Sequence, residues 1–337
     1  MTNNLSGFMN ILYLSCHSVL EYDEVKLFTE LGHNVFSLQG AYHNPNMPTD
    51  PKRPEIVGPM HQQLMDVALQ CSKDDIHQEL IDWADVIYVM HIDRWILNNW
   101  PKIKQKIVIW RTIGQSVPQI EGRLALFRTE GLRVVRYSPK EEGIKGYIGS
   151  DAIIRFYKDP NEFGSWYGSS GGVMTVSQSM KQRGKFCGYE TWNEVTSGLQ
   201  RTIYGPGNDE LDYWGGCLSY QDLISAYRLH GVYFYTGTYP AAYTLNFIEA
   251  LMTGIPIVAV GHSLWNVGAY DIQAYEVPEI LDKYVSEDIA ELRGFVEALL
   301  KDRDLAEETG RKGREKAIEL FGKETIKTQW QSFFDSL

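Results

Sequence analysis

The stretch 232–260, VYFYTGTYPAAYTLNFIEALMTGIPIVAV, leaves little choice of local fold. Residues 232–236 are an aromatic and β-branched run, and 237–243 form a loop of Gly, Pro and Thr, the pattern of a strand ending in a turn. Thr244 is an N-cap residue for a helix that Gly254 closes, with Pro256 just beyond. The run 257–260 carries no polar residue, as expected of a strand covered on both faces. Leu245, Ile248 and Met252 form the buried stripe of the helix at spacings of three and four. Glu249 falls inside that stripe, at roughly 40° from Leu245 when each residue turns about 100°. A carboxylate aimed at the packed side is costly without a specific partner. Two readings follow: a core acid satisfied by a backbone amide or an Arg, or an acceptor for ligand hydroxyls at the carboxyl edge of a parallel sheet.

The same alternation runs through the rest of the chain. Residues 10–15 (NILYLS) read as a strand, 25–31 lie in a helix stopped by Gly32, and 34–38 read as a second strand. Further strands are expected at 86–90, 107–110, 133–137 and 152–156, with helices at 60–71 and 76–83. The segment 159–172, DPNEFGSWYGSSGG, is the clearest linker. A second series then begins with a strand at 173–176, a helix near 193–199, a strand at 202–205 and a helix at 220–229. Two domains result, 1–160 and 173–310, joined by a linker at 161–172 and followed by a helical tail at 311–337.

Composition narrows the function classes. At 337 residues the chain suits two domains, and 44% hydrophobic with 22% charged residues is ordinary for a globular enzyme. No apolar run approaches the ~20 residues of a membrane span. Cys16, Cys71, Cys187 and Cys217 show no CxxC pairing, so neither a disulfide framework nor a zinc site is suggested and a cytoplasmic home is the default. The net charge of −11 is unevenly spread, because residues 94–158 carry thirteen Lys/Arg against five Asp/Glu. Such a tract faces an anionic partner or is ordinary helix-surface charge.

The phrase IEALMTGIPIVAV resembles the donor-sugar motif of retaining GT-B glycosyltransferases of the family-4-like type, written roughly E-x-F-G-x-x-x-x-E-A-(M/L)-A-x-G-x-P-V-V. The phrase ELGHNVF near the start is similar to the family's N-terminal opening. The resemblance implies an α/β fold of GT-B type, two Rossmann-like domains facing each other across a cleft. It also implies transfer of a sugar from a UDP- or GDP-type donor to an acceptor, the nucleotide sugar being a co-substrate and no cofactor being bound; no Asp-x-Asp motif follows a strand, so metal dependence is not implied. In the family the second motif acid binds the ribose hydroxyls and the amides at the helix start hold the diphosphate. Those roles fall here on Glu249 and on Thr244 with Leu245, with Tyr243 beside them. A helix N-terminus suits a diphosphate on physical grounds too, since its amides are unpaired and its dipole end is positive.

Other donor-side positions follow from the resemblance. Arg183 matches the second cation of the family's basic pair, with Lys185 flanking it, while Gln178 stands where the first would be. Gly205 and Gly207 in YGPGN, and Tyr220 further on, lie where the family approaches the nucleotide base. The family's first motif acid is replaced by Ala241, so a catalytically degenerate nucleotide-sugar-binding module is the competing reading. On the acceptor side, His91 and His17 each follow a strand, and Gln115 lies in RTIGQS with Arg111, Thr112 and Ser116; His91, Gln115 and His17 are the expected catalytic group. The acceptor is a glycan, an anionic polymer or a nucleic acid, the last two drawing on the basic tract 94–158.

Overall fold

The computed structural model describes residues 7–37, 61–72, 74–114, 116–268 and 272–337, and it divides into two compact units. One comprises Met1–Phe156 with Ile326–Leu337, the other Tyr157–Thr325.

The first unit alternates β1 (Asn10–Leu14), α1 (Ser18–Glu30), β2 (Asn34–Ser37), α2 (His61–Ala68), α3 (Gln78–Trp83), β3 (Val86–Met90), α4 (Arg94–Ile103), β4 (Ile107–Arg111), α5 (Pro118–Thr129), β5 (Arg133–Arg136) and β6 (Ala152–Ile153). All strand pairs are parallel, in the order β2-β1-β3-β4-β5-β6. The chain leaves β1 for one side and returns on the other, so the topological switch point lies between β1 and β3. β3 is buried along its whole length, which is why VIYVM reads as an unbroken apolar run. The strand expected at 152–156 is shorter than its apolar pattern. It pairs only at Ala152 and Ile153, and Phe156 stacks on Tyr137 instead, 5.0 Å between ring centroids.

The second unit contains β7 (Val173–Val176), α6 (Met180–Arg183), α7 (Tyr189–Thr196), β8 (Arg201–Tyr204), α8 (Tyr220–Leu229), β9 (Val232–Tyr235), α9 (Leu245–Thr253), β10 (Ile257–Val260), α10 (His262–Trp265), α11 (Val277–Leu281), β11 (Val285–Ser286), α12 (Ile289–Lys301) and α13 (Arg303–Phe321). Its parallel sheet runs β11-β10-β9-β7-β8, with the switch point between β7 and β9. The helix expected near 193–199 is α7, and it starts four residues earlier at Tyr189 because Gly188 takes a left-handed conformation there.

α9 differs from the one-sided stripe that its periodicity predicts. Leu245 is half-buried, while every residue from Phe247 to Thr253 is buried. The second cover is α13, whose Gly310 and Gly313 face Gly254 and Leu251 and let the two helices approach closely. α13 therefore belongs with the second unit well past residue 310. The last helix, α14 (Lys323–Asp335), belongs to the first unit from Ile326 on, where Trp330 meets Phe28 edge-on at 4.8 Å.

Candidate functional site

In the second unit the loops after β7, β8 and β9 are stitched together at the carboxyl edge. Asn208 is the central tie. Its Oδ1 accepts from the Met180 amide (2.8 Å), and its Nδ2 donates to the carbonyls of Ser177 (2.7 Å) and Gly205 (3.0 Å). Gly205 and Gly207 do permit a close approach, and in this structure the approaching group is the protein itself. A Cβ on Gly205 would lie 2.5 Å from the Ser177 carbonyl oxygen, and one on Gly207 would run into the Ser179 hydroxyl. Ser179 itself is left-handed, with φ 47°, an unusual state for a residue with a side chain. The segment carrying Arg183 and Lys185 is bound to the loop after β9: the Tyr239 amide donates to Phe186 O (2.8 Å) and the Thr236 hydroxyl to Cys187 O (2.6 Å). Among the described residues no acidic side chain pairs with Arg183 or Lys185, and Lys185 lies over the Phe186 ring at 5.6 Å.

α9 begins beside this cluster. Thr244 occupies the N-cap position with extended backbone (φ −120°, ψ 164°), but its side chain makes no capping bond. Its hydroxyl bonds instead to Asn246 Oδ1 and to the Tyr235 hydroxyl (3.1 Å), and Asn246 Nδ2 donates to Val176 O at the end of β7 (2.6 Å). The side chain that would ordinarily cap is drawn away, and no acceptor among the described residues takes the Leu245 or Asn246 amide. Tyr243 is buried edge-on to Phe321 at 5.2 Å, a core position.

Glu249 lies one turn inside, and side chains on a helix lean toward its N-terminus, so the carboxylate is carried toward the same edge. It is 6% exposed, and its Oε1 is 3.1 Å from Lys158 Nζ while Tyr227 donates to Oε2 at 3.4 Å. Burial, and then the Glu249 charge, push the Tyr227 phenol well above its ordinary value, which makes it a hydrogen-bond donor rather than an anion. Lys158 is itself 2% exposed, with the Tyr220 ring 5.7 Å from its ammonium. Tyr220 donates its hydroxyl to Glu162 (2.7 Å), so the structure joins it to the Lys158 environment rather than to the loop at 205–207. Lys158 was invisible as a site residue because it reads as the last member of a basic tract. Its one sequence signal is its place directly after the aromatic pair Phe156 and Tyr157, both buried.

In the first unit His17 and His91 follow the neighbouring strands β1 and β3, on the two sides of the switch point. His17 is the N-cap of α1, with Nδ1 accepting from the Leu20 amide at 3.4 Å. His91 sits at φ 61°, and its amide donates to Arg111 O (3.1 Å), which extends the ladder one residue past β3. A non-glycine residue held there costs on the order of 1 kcal/mol, a strain that gathers at functional positions. Gln115 lies outside the described residues. Arg111, Thr112 and Ser116 do not line an anion or sugar site. Arg111 is fully buried, its Nε 3.0 Å from Glu24 Oε1 and its Nη1 donating to Ile154 O (2.6 Å). Thr112 and Ser116 both donate to Glu141, at 2.7 Å each. Burial leads the causes that raise the Glu141 carboxyl above its ordinary value, against the charge of Arg136 and these hydroxyls.

Among the described residues, at least eight of the thirteen cations of the basic tract are ion-paired. Arg94 pairs with Asp74, Lys102 with Asp75, Arg111 with Glu24, Arg123 with Asp93, Arg128 and Arg133 with Asp151, Arg136 with Glu121, and Lys158 with Glu249. Arg111, Arg136 and Lys158 are buried outright. The local excess of positive charge in sequence is therefore partly offset in space, because most of these partners come from elsewhere in the chain. Among the described residues no helix is long and apolar enough to cross a membrane, and no three His, Cys, Asp or Glu are placed to hold a metal ion.

No protein-family model matches the chain, and no curated protein matches its sequence. Solved structures do match over nearly the whole length. A sucrose-phosphate synthase from Thermosynechococcus elongatus superposes with a TM-score of 0.67 at 14% identity, covering 97% of this chain and 98% of its own. HepE from Anabaena, solved with UDP-glucose, gives 0.67 at 13% identity over 98% and 100%. An α-glucosyltransferase solved with UDP and a 13-mer DNA containing an HMU base gives 0.61 at 10% identity over 97% and 100%. At these identities the likeness shows the fold, which is GT-B with two Rossmann-like domains.

Proposed function

We propose that this chain is a glycosyltransferase that takes its sugar from a UDP- or GDP-type donor held by the second unit. The observation that carries this reading is the start of α9. Among the described residues its Leu245 and Asn246 amides have no acceptor beside the β7–β9 switch point, and a buried carboxylate, Glu249, follows one turn later. Amides at a helix N-terminus meet a diphosphate, and a carboxylate leaning toward that end meets two neighbouring hydroxyls, as on a ribose. The neighbours solved with UDP or UDP-glucose support the same class of ligand. Arg183 and Lys185 supply the remaining positive charge and stabilise the diphosphate as it leaves. In the first unit His91, together with His17 and Gln115, positions the acceptor hydroxyl. Transfer proceeds with retention and without metal, the leaving phosphate guiding the acceptor on the same face. The engaged state of the basic tract favours an acceptor recognised by hydroxyl groups over an anionic polymer.

Thermal melts with UDP-glucose, UDP-N-acetylglucosamine and GDP-mannose test the donor. A ligand at a hundred times its Kd adds about 2.7 kcal/mol of stability, a shift of several degrees. One of the three is expected to shift the melt and to be hydrolysed or transferred slowly, and Glu249→Ala is expected to remove the shift. Absence of a shift with every nucleotide sugar, at concentrations up to millimolar, sinks the proposal.

A further inference from the structure

The Lys158–Glu249 ion pair is buried on both sides, and its two halves come from distant parts of the chain. The lysine is held from both directions. Its amide donates to Phe321 O (2.9 Å), its backbone pairs in parallel with Gly322, and the adjacent Asp159 reaches Lys323 Nζ at 3.8 Å. The ammonium is thus delivered to Glu249 by a pinned backbone, with little freedom to swing away. Burying both charges is expensive, and a well-packed apolar pair of similar volume would usually be no less stable. The arrangement therefore asks for a use other than stability.

We infer that Lys158 is a positioning residue for nucleotide recognition: its contact with Oε1 fixes the Glu249 carboxylate so that its remaining lone pairs are presented to the ribose hydroxyls. This inference rests on the proposed donor site. An ionised carboxylate offers about four acceptor positions. Lys158 takes one on Oε1, and Tyr227 lies at the long distance of 3.4 Å from Oε2. Two vicinal hydroxyls fill what is left. Without Lys158 the carboxylate would lose the contact that fixes Oε1, and with it the paired acceptor geometry.

The test is discrimination for the 2′-hydroxyl, measured by calorimetry with UDP against 2′-deoxy-UDP, and with GDP against 2′-deoxy-GDP beside them. Wild type is expected to prefer the ribonucleotide by roughly tenfold or more, the usual worth of a hydrogen bond to a charged group. Lys158→Met is expected to weaken the ribonucleotide by more than the deoxynucleotide, which has only its 3′-hydroxyl contact to lose, and so to bring the ratio toward one. Lys158→Arg, which restores the charge, is expected to recover most of the preference. Lys158→Gln replaces the Met variant should that fail to fold. If Lys158 only braces the fold, both nucleotides weaken together and the ratio stays at its wild-type value, which overturns the inference while leaving the donor site standing. Wild type that binds the ribo- and deoxynucleotides equally removes Glu249 as a ribose acceptor, and Lys158 with it. Failure of wild type to bind any of the four overturns the donor site itself.

Discussion

The contact between α13 and α9 gives a sharp stability prediction, because it is made of backbone. A Cβ added at Gly310 would lie 2.9 Å from the Gly254 carbonyl carbon, closer still to its oxygen, and 3.5 Å from Pro256 N. None of these is the far end of a flexible side chain. Gly254 is the left-handed cap of α9 (φ 84°), tied back to Ala250 and Leu251, so it cannot yield without loosening that helix end. Gly310→Ala must instead drive α13 outward. Overpacking of this kind costs about 1–3 kcal/mol, and a rigid backbone clash belongs at the upper end. Replacing glycine by alanine inside a helix returns about 1 kcal/mol. The net expectation is a loss of about 2 kcal/mol, or roughly 4–8 °C in the melting transition of a unit this size. Gly294→Ala on α12 is the control, since a Cβ there meets nothing within 4 Å, and it should melt about 2–4 °C higher than wild type. Scanning calorimetry reads both variants. A Gly310→Ala protein that melts at or above wild type, while Gly294→Ala gains as expected, would show that α13 does not sit against the end of α9 as described.

Three further variants probe other parts of the structure. Arg136 makes two buried bonds to Glu121, at 2.6 and 2.8 Å, so Arg136→Met should cost about 3–5 kcal/mol in urea unfolding by stranding a buried carboxylate, and Arg136→Met with Glu121→Leu should recover much of it. Asn208→Ala removes the tie among the loops after β7 and β8; a loss of about 2 kcal/mol and faster amide exchange at Met180 are expected, and unchanged exchange there would contradict the assigned role. Burial lowers the His230 pKa below 6.5, so the folded state favours the neutral ring. Its contribution is present above pH 6.5 and is lost as pH falls from there through the lowered folded value, because the unfolded chain takes up the proton first. Unfolding free energies from pH 8 to pH 5 should therefore fall less steeply for His230→Gln than for wild type, and parallel curves would refute this.

How much of this was readable in the sequence depends on whether the determining contact is local. The bounds of β3, β7, α8 and β10 match their sequence patterns to the residue, because each is an apolar or periodic run bounded by turn or capping residues. Ser219 caps α8 by accepting from the Asp222 amide (3.3 Å), a signal fully contained in four residues. Thr244 shows where such reasoning stops: its position at the helix start is local and holds, but its hydroxyl is claimed by Tyr235 and Asn246, and no local rule anticipates that rivalry.

Charge is where the sequence misleads most, and for a physical reason. Counting the tract 94–158 treats charges as if neighbours in sequence were neighbours in space, yet a parallel sheet places the end of each strand beside residues many tens of positions away. Arg111 at the end of β4 therefore finds Glu24 on α1, and Lys158 finds Glu249 on α9. Helical periodicity fails at Glu249 in a related way. A stripe marks one covered face, but α13 brings two glycines against α9 and covers a second, so a carboxylate anywhere from Phe247 to Thr253 would be buried. The burial of Glu249 is thus explained by packing alone. What packing does not explain is a lysine pinned by its own backbone beside that carboxylate, and this makes the pair, rather than the glutamate by itself, the feature on which the proposed ribose recognition turns.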